Sequence, residues 1–279
     1  MISAVAASAM FNLGIALQGL EARQTPRELG LRLSLLTLLL RRPRWLLGLL
    51  LGFLGIGPQV LALAEAPFVV VQPALVSGLL LLLFIGARHF HERVGSVELA
   101  GILAIIAGVA LVSWGAPPHV EQHRGPVAVA GVAGALAVLA LLPFPLRDTR
   151  WDSAVATIFA AGCGFAASNV ATKLLSDALG GGHYAGAAIW AAAGLATGVA
   201  ATITEMTAFQ RARATMVVPL VTSVQIFLPI VLEPLFLRER LGAVDLGGAP
   251  IAVGIVVALA GTVLVSRTRA VSELAASAQ

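Results

Sequence analysis

Ten polar side chains lie in or at the ends of the long apolar stretches of this 279-residue chain, and any chemistry has to be sought among them. Six are amides: Asn12, Gln18, Gln59, Gln72, Asn169 and Gln225. Four are ionisable: Glu65, Lys173, Glu205 and Glu233. At bilayer depth such a group is costly unless it faces protein or water. An amide both donates and accepts hydrogen bonds, so it can hold a polar solute or tie two helices together. Both readings stay open for Asn12, which follows Ser8 by one turn, and for Asn169 beside Ser168. A buried carboxylate can carry a proton or bind a cation. The competing reading for Glu205 is an ion pair with Arg211 or Arg213. For Glu65, between two apolar stretches, it is simple solvation, and Glu233 stands just before Pro234 near the end of its stretch. Lys173, the single lysine, either attracts an anionic solute or snorkels to the membrane surface.

Four prolines, Pro58, Pro73, Pro219 and Pro229, sit inside the same stretches. Proline removes a backbone donor and frees a carbonyl one turn earlier. Freed carbonyls beside a cavity can coordinate cations, and a plain packing kink is the alternative. Gly52, Gly55 and Gly57 precede Pro58 and Gln59, which marks that helix as a candidate break. The stretch holding Pro219, Thr222, Ser223, Gln225 and Pro229 is the most polar and the best candidate to line a path.

Other residues read as structural. Glu92 and Glu239 stand at helix starts, where carboxylates offset exposed amide dipoles. His89 and His91 belong to a loop. Cys163, the one cysteine, excludes an internal disulfide and suits helix packing. Gly48/Gly52 and Gly194/Gly198 have the four-residue spacing of close helix contacts. There is no metalloprotease helix, nucleotide-binding glycine loop or nucleophile elbow, so no enzyme activity and no cofactor are expected. The metal question stays open.

These residues require helices to position them. The chain is 58% hydrophobic and 11% charged, which is the composition of a polytopic all-α membrane protein. Nine spans are expected, at about 2–20, 45–64, 66–86, 97–115, 127–146, 153–176, 185–208, 214–237 and 245–266. Leu33–Leu40 is too short to cross and, flanked by arginines, reads as an amphipathic surface piece. The first stretch lacks a basic start and contains Asn12 and Gln18, so it is expected to be a span and not a cleaved signal. With the N-terminus outside and the C-terminus in the cytoplasm, fourteen of the 18 basic residues fall on the inner side. The outer side would hold only Arg124, Lys173, Arg238 and Arg240. Scarce lysine with abundant arginine and alanine reads as the codon bias of a GC-rich, bacterial genome, so a bacterial inner membrane is expected. The net charge of +4 comes from loop arginines and does not imply nucleic acid.

The second half of the chain repeats the first. His91-Glu92-Arg93-Val94-Gly95 matches Arg238-Glu239-Arg240-Leu241-Gly242, 147 residues later. Ala4-Val5-Ala6 matches Ala154-Val155-Ala156, Gly14-Ile15-Ala16 matches Gly164-Phe165-Ala166, and Gln72-Pro73 pairs with Val218-Pro219. Spans 1 and 6 are separated by five crossings, so the copies are expected to be antiparallel. The domain plan is then 1–115 for the first copy, 116–152 for a linking helix and loop, 153–266 for the second copy and 267–279 for a cytoplasmic tail. Two inverted halves are the usual build of a secondary transporter.

The blocks Leu61-Ala62-Leu63-Ala64-Glu65-Ala66-Pro67 through Gln72-Pro73, then His91-Glu92-Arg93-Val94, Gly101 and Gly108, resemble the EamA-type repeat of the drug/metabolite transporter superfamily. Phe209 through Pro219 to Glu239-Arg240-Leu241 and Gly261 is similar. Within that superfamily, Trp45-Leu46-Leu47-Gly48, Ala66-Pro67, Val71-Gln72-Pro73, Ala116-Pro117 and Lys173 resemble NIPA-type magnesium transporters. Gly55-Ile56 and Gln59 stand where that group has a Gly-Glu and a following Asn. The resemblance implies an alternating-access carrier for a small polar solute, or, second, a carrier for magnesium or another divalent cation. A third reading is a non-transporting membrane partner or lipid-handling protein. The implied partners are the solute or cation and the lipid bilayer, and a homodimer is compatible with all three.

Overall fold

A computed structural model describes residues 2–65, 68–89, 95–115, 126–147, 149, 153–237 and 249–277. Side chains are described within them except at 63–64, 68–70, 72, 86, 89, 126–129, 173, 176–177, 229–237 and 266–277. Every regular element among the described residues is helical. In chain order they are α1 (Ile2–Arg23), α2 (Leu33–Leu39), α3 (Pro43–Glu65), α4 (Phe68–Val76), α5 (Gly78–His89) and α6 (Ser96–Gly115). Then come α7 (Pro126–Leu141), α8 (Ala154–Gly180), α9 (Tyr184–Arg211), α10 (Ala214–Leu237) and α11 (Ala249–Ser277).

Among the described residues, five helices are long and apolar enough to cross a membrane: α1, α3, α6, α8 and α9. Shorter apolar stretches lie at Pro73–Ile85, Ala130–Leu141, Ala214–Leu228 and Ala249–Val265. The outward faces are apolar too. On α3, Leu47, Leu50, Phe53, Leu54, Val60 and Leu61 all lie exposed, a surface that lipid covers at no cost and water does not. Buried hydroxyls bond carbonyls one turn back in their own helices, as a dry surrounding demands. Thr204 Oγ1 donates to Ala200 O at 2.7 Å and Thr207 Oγ1 to Ile203 O at 2.7 Å.

Several boundaries differ from the expected ones. The expected span 66–86 is two helices, α4 and α5, separated at Ser77. The expected span 127–146 stops at Leu141 and continues as turns, because Pro143 and Pro145 cannot carry the helical ladder on. The last helix runs on to Ser277, through residues expected to form a tail. Leu33–Leu39 is a short helix as expected, although Leu35 and Leu39 are buried inside the bundle. The repeated motifs at 91–94 and 238–242, the connection 116–125 and the start of the last expected span fall outside the described residues.

Helices meet where glycines let backbones touch. A Cβ on Gly14 of α1 would lie 2.6 Å from Gly48 O of α3, and one on Gly48 would lie 2.5 Å from Gly14 O. Gly48 is thus the close contact expected of it, whereas Gly52 faces open space. On the other side α6 packs antiparallel against α11 through Gly101 with Gly261 and Gly108 with Gly254. α8 packs on α9 and α10, and α9 also reaches α1.

Candidate functional site

Asn12, the first sequence candidate, is buried on α1 against the break between α4 and α5. Its Nδ2 donates to Ser8 O at 2.9 Å within its own helix. Ser8 Oγ reaches across and donates to Leu75 O at 2.5 Å. That carbonyl belongs to the turn where the helix is interrupted, so a side chain of α1 supplies a partner there. A Cβ on Gly78 would collide with both Ser8 Oγ and Asn12 Nδ2. Glycine at this position therefore lets two polar side chains and a broken helix share one place.

The remaining candidates are dispersed. Gln18 is buried where α1 crosses α3, its Cγ beside Gly48. Gln59 and Gln225 are half-buried on α3 and α10, and Asn169 is exposed on α8. Among the described residues no hydrogen bond joins any two of Asn12, Gln18, Gln59, Asn169 and Gln225. Glu65 ends α3 and is exposed, accepting from Ser3 Oγ at 3.0 Å. The side chains of Gln72, Lys173, Pro229 and Glu233 are outside the described ones. Pro58 and Pro219 lie within helices that run on without interruption, which leaves the packing-kink alternative for both. Only Pro73 has a break nearby, four residues downstream. The apolar cavity between α7 and α8, lined by Leu139, Leu142, Phe159 and Ala160 among others, contains no candidate.

Polar contacts that join residues 1–115 to residues 153–277 cluster, among the described residues, on the last two turns of α9 and the connection after it. Here lies the end of the bundle that carries Arg23, Arg27, Arg32, Arg41, Arg42, Arg211 and Arg213. Gln210 Nε2 donates to Thr25 Oγ1 at 2.6 Å and to Pro26 O at 3.1 Å. Leu31 N donates to Thr207 Oγ1 at 2.9 Å. Arg23 Nη2 donates to Ala212 O at 3.0 Å. Arg213 pairs with buried Glu98 at 3.1 Å, and Trp45 Nε1 approaches Met206 Sδ at 3.4 Å. Segment 24–32 is thus strapped across the end of α9. Leu31 is held there with φ 55°, a left-handed conformation that costs a non-glycine residue about 1–2 kcal/mol. Its N–H bond to Thr207 and its burial offset that strain.

No family model, curated protein or solved structure matches this chain. The likeness to the drug/metabolite group accordingly rests on the short blocks of residues quoted above.

Sequence reasoning missed most of this polar end. Arg213 does not pair with Glu205 as its spacing suggested; it pairs with Glu98 of α6. Glu98 carried a readable signal. It is the third residue of its helix, and its Oε2 reaches back to Gly95 N at 2.9 Å, the capping geometry of an acid at that position. Thr25, Thr207 and Gln210 carried none, because their partners are more than 170 residues away.

Proposed function

We propose that this chain is a membrane carrier of the drug/metabolite type that moves a small polar solute by alternating access between two inverted halves. Nine crossings are counted in this reading, with α4 and α5 together forming one. The observation that carries it is the location of the polar contacts between the copies. Among the described residues they gather at one end, in the strap 24–32, in Arg213–Glu98 and in Arg23 with Ala212. The α6–α11 contact that also joins the copies is instead lined by glycines and runs along both helices. A polar latch at one end and a small-residue contact along the side suit two halves that rock about a central site. The packing pairs support the repeat: α1 with α3 corresponds to α8 with α9, and α6 with α11 is a meeting of equivalent helices. The positive-inside rule makes the arginine end cytoplasmic, with the N-terminus outside and the C-terminus inside a bacterial inner membrane. The conformation described is then closed on the cytoplasmic side.

Two measurements test this. The first labels single cysteines with an impermeant maleimide from each side of the membrane, at Asn12→Cys, Gln59→Cys and Gln225→Cys in a Cys163→Ala background. A carrier exposes at least Asn12→Cys or Gln225→Cys to one side, and the exposure changes when the strap is loosened by Thr207→Val. The second follows flux into liposomes of a panel of amino acids, cationic drugs and magnesium. Protection of all three cysteines from both sides, together with no flux of any solute, would sink the reading and favour a non-transporting membrane protein. Saturable magnesium flux alone would move the chain to the divalent-cation alternative.

A further inference from the structure

Among the described residues, Glu205 is the buried acid that the contacts leave unused. It lies on α9 about 9 Å of helix rise from the strapped end at Arg211. Its exposure is 4%, and among the described residues it has neither a hydrogen bond nor an ion pair. Its place in the helix explains the burial. Ala201 and Phe209, one turn on either side, share its face. Ala201 packs against Gly164 of α8, and Phe209 packs its ring against Gly19 of α1. Glu205 therefore stands on the face of α9 that meets the first helix of each copy.

The charged groups on the elements packed around α9 are otherwise engaged or distant. Glu21 of α1 pairs with Arg42 at 2.9 Å, Arg23 is bound to Ala212 O, and Arg213 is bound to Glu98. Arg211 follows at the helix end with interactions of its own, none of them with Glu205. Arg27, Glu28 and Arg32 of the strap are exposed, as are Arg41 and, on α3 beside the Trp45–Met206 contact, Arg44. Lys173 and Asp177 of α8 and Glu233 of α10 belong to the opposite ends of their helices, and α2 and α7 carry no charged residue. An ionised carboxylate with no partner in such a place is far less stable than a neutral one. A metal cation is a poor occupant as well. No group of three acids, histidines or cysteines forms among the described residues, whereas magnesium and calcium take about six or more oxygen ligands. A proton needs one site.

Building on the carrier reading, we propose that Glu205 is a proton-carrying site, protonated while the arginine end is closed and deprotonated when that end opens. The step is an acid–base exchange with water. Opening the strapped end admits water, the carboxylic O–H bond breaks, and the proton leaves as hydronium. Closing the end requires hydronium in the admitted water to return a proton, so that an O–H bond forms again on the carboxylate. Glu205 thus ties proton release and uptake to the same joint that alternates the halves.

The test uses the full chain in nanodiscs. Infrared difference spectra between acidic and alkaline buffer report a carboxylic-acid carbonyl band, and spin labels at Glu28→Cys and Ala212→Cys in the Cys163→Ala background report the width of the arginine end. In the wild-type background the band disappears and the long-distance population grows from minor to major as the buffer becomes alkaline. Glu205→Gln, a neutral mimic of the protonated acid, lacks the band and stays at the short distance throughout. A band that persists in Glu205→Gln overturns the assignment. So does an inter-label distance in the wild-type background that ignores pH, which decides the matter even if the variant fails to fold. Cysteines that remain accessible from alternate sides while the distance ignores pH would leave the carrier standing and remove the proton.

Discussion

In the proposed repeat, the two aligned proline-containing segments solve one packing problem in opposite ways. Pro73 aligns with Pro219, Ser77 with Ser223, and Gly78 with Val224. In the first copy the chain breaks at Ser77, and Gly78 makes room for Asn12 and Ser8 of α1. In the second copy α10 runs on without a break, and Val224 packs on Gly162 of α8, with a built Cβ on that glycine 2.5 Å from Val224 Cβ. The alignment that pairs Gly14 with Gly164 also pairs Asn12 with Gly162. The small residue has changed sides. Where the first-copy contact is polar side chain against bare backbone, the second is apolar side chain against bare backbone. The serines follow suit. Ser8 reaches across to Leu75 O, whereas Ser223 bonds Pro219 O in its own helix at 2.8 Å. The comparison teaches that a break in one copy needs a neighbour with a donor to spare, and that the two copies are not equally free to bend.

Transposing one solution onto the other copy has the largest expected effect. Gly78→Val places a branched side chain onto Ser8 and Asn12 and is expected to lower stability by about 3 kcal/mol, the upper range for overpacking a filled site. Thermal unfolding in detergent reads it. Adding Asn12→Gly recreates the second copy's pair and should recover about 1 kcal/mol, a coupling ordinary for residues in contact. Recovery stays partial because Ser8 Oγ still occupies the space. Additive losses in the double variant would mean that the two sites do not meet.

The serines give the next contrast. Ser8→Ala takes the side-chain donor from a carbonyl at a helix interruption and should cost about 1–2 kcal/mol. Ser223→Ala removes a bond internal to a regular helix and should cost about 0.5 kcal/mol. Equal losses in the same unfolding assay would show that the break in the first copy does not depend on α1.

How much of this was legible in the chain follows from the range of each interaction. The helices and their apolar outer faces come from composition and local spacing, which a single sequence carries; Gly48 could be singled out as a packing glycine, but its partner Gly14 on another helix could not. Asn12 could be singled out because a polar group in an apolar run must find a partner; that Asn169 faces outward could not, since its helix is small and apolar on several sides. Glu205 was legible as an acid near a helix end but not as buried and unpaired. Arg213, eight residues on, is drawn away by Glu98, which is more than 100 residues distant from it. The strap 24–32 looked like a loop and nothing more, because its hold on α9 depends on side chains from the far half of the chain.

The smallest effect concerns the prolines themselves, which looked in the sequence like the cause of any break. Proline acts backwards along a helix: it leaves the carbonyl four residues earlier without a donor and restrains the residue before it. For Pro73 that means Val69 and Gln72, on the N-terminal side. The interruption at Ser77 lies on the other side, where Ser77 N still bonds Pro73 O at 2.9 Å and Leu80 N bonds Ser77 O at 2.9 Å. Gly78, and Ser8 holding Leu75 O, are the features in place at the interruption. Pro73→Ala should therefore leave the α4–α5 break intact and change stability by under about 1 kcal/mol, with Pro219→Ala equally mild. Distances between spin labels placed on α4 and α5 would read the outcome. A straightened helix in Pro73→Ala would return the break to the proline and make Gly78 merely permissive.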